Sequence, residues 1–268
     1  MNNNRKRIVI LGIYLAVIVL IGATIYFMFK SDPTCYDGIR NQGETGIDCG
    51  GPCSPCQKRI TLDKLKVESV EMADDGKGGK DVLIKIYNPN EEYGARSFQY
   101  VLVDDLGNRS KVYTDFILPK ETKYVIVNDY FLNKQATTVS VGINNEKIDW
   151  RQVVNYDDPK LVVANKRFQK ATEGVFYAKI IGLLTNKSGI DYETIKIKGV
   201  LRDENGVFLG ASYQIINTLP ANEKREFQIV FPNNLKERVH SVEVQPETNI
   251  FKSDNYLKIK GRGNNLDM

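Results

Sequence analysis

Ile8 to Phe29 runs without a single charged residue, directly behind Arg5-Lys6-Arg7. An α-helix rises about 1.5 Å per residue, so a run of about 20 apolar residues crosses a hydrocarbon layer about 30 Å thick. The run predicts a transmembrane helix over residues 8–29, interrupted only by the tolerated Gly12, Gly22 and Thr24. A cleaved signal peptide is the rival, with an apolar region of about 7–15 residues and a small-x-small cleavage site. This run is longer, and Tyr26-Phe27-Met28-Phe29-Lys30 offers no such site. A buried core helix is a weaker rival, because such helices seldom go about six turns without charge.

Positive flanks stay cytoplasmic. Residues 1–7 are therefore expected inside as a basic tail. Residues 31–268 are expected outside, on a single-pass protein of the cell membrane whose first partner is the lipid bilayer. The formal net charge of +4 resides in Arg5, Lys6, Arg7 and Lys30, with no acid among the first thirty residues. The rest of the chain is charge-balanced. Nucleic-acid binding needs a basic face that displaces counterions, so no nucleic acid is expected as a partner.

All the cysteines lie close behind the helix: Cys35, Cys49, Cys53 and Cys56. An even cysteine count outside a membrane reads as two disulfides, in any of three pairings. Zinc is the alternative, with Cys53-x-x-Cys56 as half a site, but zinc ribbons usually show a second close pair, and thirteen residues separate Cys35 from Cys49. A redox role for Cys53-Ser54-Pro55-Cys56 lacks a surrounding βαβ pattern. The segment 32–57 is too short for a hydrophobic core, so cross-links must supply its order. Asp37, Asn41, Glu44 and Asp48 within it are candidate Ca²⁺ ligands, since Ca²⁺ takes six to eight oxygens. Their spacing is not that of an EF-hand, and the other reading is that they cap turns and hold backbone amides. No cofactor other than this calcium is expected.

From Cys35 to Cys56 the chain reads Cys-x-Asp-Gly-x-x-Asn-x-x-Glu-x-x-x-Asp-Cys-Gly-Gly-x-Cys-x-x-Cys. It resembles a small cysteine-rich module of surface and secreted prokaryotic proteins. The resemblance implies an extracellular, juxtamembrane structural role.

The remainder repeats itself. Asp81–Asn88, Tyr100–Gly107, Leu118-Pro119 and Val139–Val141 return as Tyr177–Asn186, Val200–Gly206, Leu219-Pro220 and Val242–Val244. The period drifts from about 98 to about 103 residues, which means two related domains rather than a short-repeat solenoid. Val82, Ile84 and Ile86 alternate with Leu83, Lys85 and Tyr87, and Phe227, Ile229 and Phe231 share a face. Period two places such residues on one side of a sheet, with Lys196 and Lys198 expected on an outer face. About seven short strands in about 100 residues predict a sandwich. The expected fold is mainly β: a helix over 8–29, a disulfide-rich module over 32–57, tandem sandwiches over 58–154 and 159–258, and a tail over 259–268. Trp150 is expected either in the first core or at the domain junction.

Tyr100-Val101-Leu102-Val103-Asp104 with Gly107, and Gly199-Val200-Leu201-Arg202-Asp203 with Gly206, resemble the hallmark strand of the FxLYD family of bacterial β-sandwich domains, and the related late-embryogenesis fold. The resemblance implies an immunoglobulin-like sandwich on an envelope protein, without an enzymatic site.

His240 is the only histidine and no Gly-x-Ser-x-Gly elbow occurs, which argues against a Ser-His-Asp hydrolase. Two facing acids in a cleft would restore a glycosidase reading. Asn108 and Asn186 fit the glycosylation sequon. Two function classes remain. One is a non-enzymatic structural or interaction protein that meets an envelope protein. The other is a carbohydrate-binding or enzyme-accessory protein that meets a glycan through exposed aromatics such as Tyr93, Tyr130 or Tyr213.

Overall fold

The computed structural model describes residues 3–29, 34–56, 61–75, 78–130, 135–153, 159–171, 177–232, 235 and 238–256. Lys30, residues 31–33 and 57–60, linker residues 155–158, the tail beyond 256 and the side chains of Arg5 and Tyr130 lie outside the described residues. The chain divides into two compact units, Met1–Thr61 and Leu62–Met268.

Helix α1 (Asn3–Phe29) contains the uncharged run. Lys6–Met28 is long and apolar enough to cross a membrane, and its side chains are exposed. The Thr24 hydroxyl donates to the carbonyl of Leu20 at 2.6 Å, so the run's polar side chain is satisfied inside the helix itself. In the cysteine-rich module, Tyr36, Ile39 and Ile47 are exposed and form no apolar core. Disulfides Cys35–Cys53 and Cys49–Cys56 hold it instead.

The second unit is built from two sandwiches. The first has strands β1 (Lys66–Asp74), β2 (Lys80–Tyr87), β3 (Tyr93–Asp104), β4 (Tyr113–Ile117), β5 (Thr122–Tyr130), β6 (Val139–Ile143) and β7 (Asp149–Gln152). Its sheets run β1-β2-β5 and β4-β3-β6, with β7 also on β3. The second has β8 (Leu161–Lys170), β9 (Ala178–Asn186), β10 (Tyr192–Arg202), β11 (Phe208–Leu219), β12 (Lys224–Phe231) and β13 (Ser241–Glu247). Its sheets run β8-β9-β12 and β11-β10-β13, the same order strand for strand, all antiparallel. At the place of β7, the described residues of the second sandwich have the bridge of Tyr192 with Tyr256. Trp150, on β7, packs against the first core, and Tyr256 packs against the second.

Alternation builds both cores. Val82, Ile84 and Ile86 from β2 meet Phe98, Tyr100 and Leu102 from β3, and Ile195, Ile197 and Leu201 from β10 meet Ile180, Phe227 and Ile229. The repeated asparagines close equivalent corners. Buried Asn88 donates to the carbonyls of Tyr93 and Leu118, and buried Asn186 to those of Ile190, Leu219 and Pro220. Each also accepts a backbone N–H two residues on, from Asn90 and Ser188. The Asp-x-x-Gly turns repeat as well: Asp104 and Asp203 each accept the glycine's N–H at the main chain, and Gly107 and Gly206 supply the positive φ of 85° and 79°. Asn186→Ala strands several buried carbonyls at once. It is expected to cost about 2–4 kcal/mol in urea unfolding, with Asn88→Ala costing a similar amount.

Candidate functional site

Leu83 breaks the alternation of β2. It is fully buried although its neighbours Val82 and Ile84 fill the first core. It belongs to a third cluster with Val200, Phe208 and Ala211 of the other sandwich, flanked by Ala73, Tyr124 and Ile126. The outer face of sheet β1-β2-β5 is therefore docked onto the outer face of β10 and β11.

Among the described residues strand β5 pairs with β2 alone, which leaves the backbone groups of its far edge without a strand partner. Side chains of the second sandwich take them. The N–H of Tyr124 donates to Gln245 Oε1 at 2.7 Å, and Gln245 Nε2 donates to the carbonyl of Thr122 at 2.8 Å. Lys198 Nζ donates to the carbonyl of Tyr124 at 2.5 Å. Arg202 binds Glu71 through both terminal nitrogens, at 2.7 and 3.0 Å, and Glu243 through Nε. The Tyr124 hydroxyl donates to the same Glu243. Lys198 thus lies on the outer face of its sheet, as expected. It is only 1% exposed because the first sandwich covers it.

Beside this seam sits a buried charge cluster. Lys123, in line with the core residues Val125 and Val127, is fully buried. Its Nζ meets Asp115 at 2.7 Å, the carbonyl of Phe116 at 2.6 Å, Glu247 at 3.0 Å and the Phe116 ring at 3.4 Å. Lys198 Nζ meets the same Glu247 carboxylate at 2.5 Å. Burial pushes the Lys198 ammonium down to about 8, against the pull of Glu247 and with the help of Lys123. Burial also weighs on Lys123, but Asp115, Glu247 and Glu121 outweigh it and hold that ammonium above its ordinary range. For Asp115, burial is outweighed by Lys123 and Lys198, so its carboxyl lies low. Glu121 is raised, chiefly by burial.

The cluster has a signed pH signature. Between about pH 8 and 10 the unfolded chain keeps a lysine proton that folded Lys198 sheds, so stability rises with pH across that window. Above pH 10 the order reverses, because folded Tyr124 and Tyr256, both pushed up to about 12 chiefly by burial, keep protons that the unfolded chain loses. The melting temperature is expected to peak between about pH 9 and 10, after a gain on the order of 2 kcal/mol. Lys198→Met should abolish the rise and leave the fall.

Next to the cluster the two sandwiches leave a cleft of about 580 Å³. Asp115, Phe116 and Thr114 of β4 form one side. Thr194 and Lys196 of β10, Ile215 of β11 and Glu247 form the other. Phe251 braces the junction. Its ring packs edge-on to Phe116 and lies where a Cβ on Gly94 would be 2.7 Å from it, so only glycine fits there. Asp115 and Glu247 are two carboxylates facing one cleft, but both are ion-paired to Lys123. Glycosidic hydrolysis needs one protonated carboxyl as acid, and Asp115 is held in the opposite direction.

The other candidate positions behave differently. His240 is exposed and immediately precedes β13. Tyr93 is half-buried on the first sandwich and Tyr213 is 46% exposed on the second, beneath Lys196 Nζ at 4.1 Å. Sequon residue Asn186 is buried and Asn108 is exposed in a turn. In the module the three carboxylates among the candidate calcium ligands hold backbone and side-chain N–H groups, while Asn41 Oδ1 is buried without a hydrogen-bond partner. Asp37 accepts from the N–H groups of Thr34 and Ile39 and from Asn41 Nδ2. Asp48 accepts from the N–H of Gly38, and Glu44 from those of Asn41 and Asp48. Cys35, Glu44 and Cys53 lie close enough to hold a metal, but both sulfurs are in the Cys35–Cys53 disulfide.

No protein-family model and no curated protein matches the chain. Among solved structures, red sea bream transglutaminase aligns with 70% of this chain and 29% of its own, at 11% identity and a TM-score of 0.22. A likeness of that size carries no argument.

Proposed function

We propose that the chain is a membrane-anchored extracytoplasmic protein that presents a docked pair of β-sandwiches as a structural or interaction module. The observation that carries this reading is the uncharged helix with exposed apolar side chains, behind a basic flank and ahead of a disulfide-held module. The resemblances to the prokaryotic cysteine-rich module and to FxLYD sandwiches support the same placement. The reading is non-enzymatic: the cleft carboxylates are committed to Lys123, and the one histidine stands apart on the surface.

Topology tests it. Protease applied to intact cells stripped of outer layers is expected to digest residues 31–268 and spare the N-terminal tail. Protection of the whole β unit would reverse the orientation, and release of the protein from membranes by high salt would remove the anchor.

A further inference from the structure

We propose that the cleft between the two sandwiches binds a neutral oligosaccharide of about two sugar units. Its volume of about 580 Å³ falls in the range of about 300–1,000 Å³ that holds small ligands. The docked seam fixes both walls before any ligand arrives, which lowers the ordering cost of binding.

Charge balance narrows the ligand class. Asp115 and Glu247 are balanced by Lys123 and Lys198 behind them, and Arg96 pairs with Asp149. On the opposite wall the cations Lys196 and Lys252 share the lining with the anions Glu193 and Asp254. The cleft therefore has fixed donors and acceptors of both kinds but no net field to draw in an ion. Nucleic acid would need a positive surface.

Hydroxyl-bearing Ser97 and Thr114 line one side and Thr194 the other. Two small apolar surfaces sit among them: the Phe116 ring at the buried end and Ile215, 51% exposed, at the rim. A pyranose offers the matching surface, with a ring of hydroxyls around patches of C–H. A peptide would instead need a side-chain pocket or a row of strand hydrogen bonds. The inference is independent of the anchoring role, because every residue in it lies within Leu62–Met268.

The test is calorimetry and hydrogen exchange on the full chain in nanodiscs, with cellobiose, mannobiose and N,N′-diacetylchitobiose as probes. At least one probe is expected to bind saturably and to slow exchange in 114–116 and 194–196. Thr114→Trp, at an exposed position, fills the cleft and should weaken binding at least about tenfold with an unchanged melting temperature. Ile215→Ala removes the rim surface without adding bulk and should weaken binding too, which keeps the test decisive if the first variant misfolds. No heat from any probe up to its solubility limit would overturn the proposal. So would binding indifferent to both variants, or tighter binding of an acidic uronate disaccharide.

Discussion

Replacing Glu247 with glutamine is expected to lower the unfolding free energy of the sandwich pair by about 3–5 kcal/mol, the cost of leaving buried charge without its partner. Glu247 is the one carboxylate shared by Lys123 and Lys198, and both lysines are almost wholly buried. Its loss leaves two ammonium groups with Asp115 as the remaining close counter-charge. The damage should lessen at high pH, where Lys198 sheds its proton. It should also lessen in the double variant Glu247→Gln with Lys198→Met, because the two positions share one interaction. Urea unfolding of the single and double variants at pH 7 and pH 9 measures all of this. A loss below about 1 kcal/mol would mean that the cluster is wet and weak.

The second large effect is expected at the cysteines. The Cys35–Cys53 bridge closes a separation of 18 residues, and the module has no apolar core to fall back on. Cys35→Ser with Cys53→Ser removes about 3 kcal/mol of loop-closure stabilisation. The amides of Thr45, Gly46 and Gly50, which donate within the module, should then exchange at unprotected rates. The melting transition of Leu62–Met268 should not move, since that unit has cores of its own. Retained protection at Gly46 would mean that the Cys49–Cys56 bridge and the carboxylate-to-amide bonds of Asp48 and Glu44 hold the module without Cys35–Cys53.

The strands were legible in the sequence because period two is a local signal. Val82, Ile84 and Ile86 announce an inward face without any knowledge of what covers it. The helix was equally plain, since hydrocarbon thickness sets its length. The seam was not legible. Leu83 and Lys198 are buried by contacts to another domain, far away along the chain, and alternation speaks only of a strand's own sheet. One signal was available: Lys123 stands in the inward row with Val125 and Val127, where a charge must find partners. The disulfide pairing was open, because spacing alone leaves three choices. The acids of the module were ambiguous for a related reason. A carboxylate that holds amides and one that holds calcium look alike in sequence.

The docking face exists in one copy only. Where β13 carries Glu243, Gln245 and Glu247, the equivalent positions in and just after β6 are Gly142, Asn144 and Glu146, all exposed. Where β5 offers Tyr124 and Ile126, β12 offers Glu226 and Gln228. A head-to-tail contact between like units ordinarily has no reason to stop and builds open filaments. Here each copy has kept a different half of the joint, so the series closes at its second member. Among the described residues, neither sandwich carries both halves of the joint that holds the pair together.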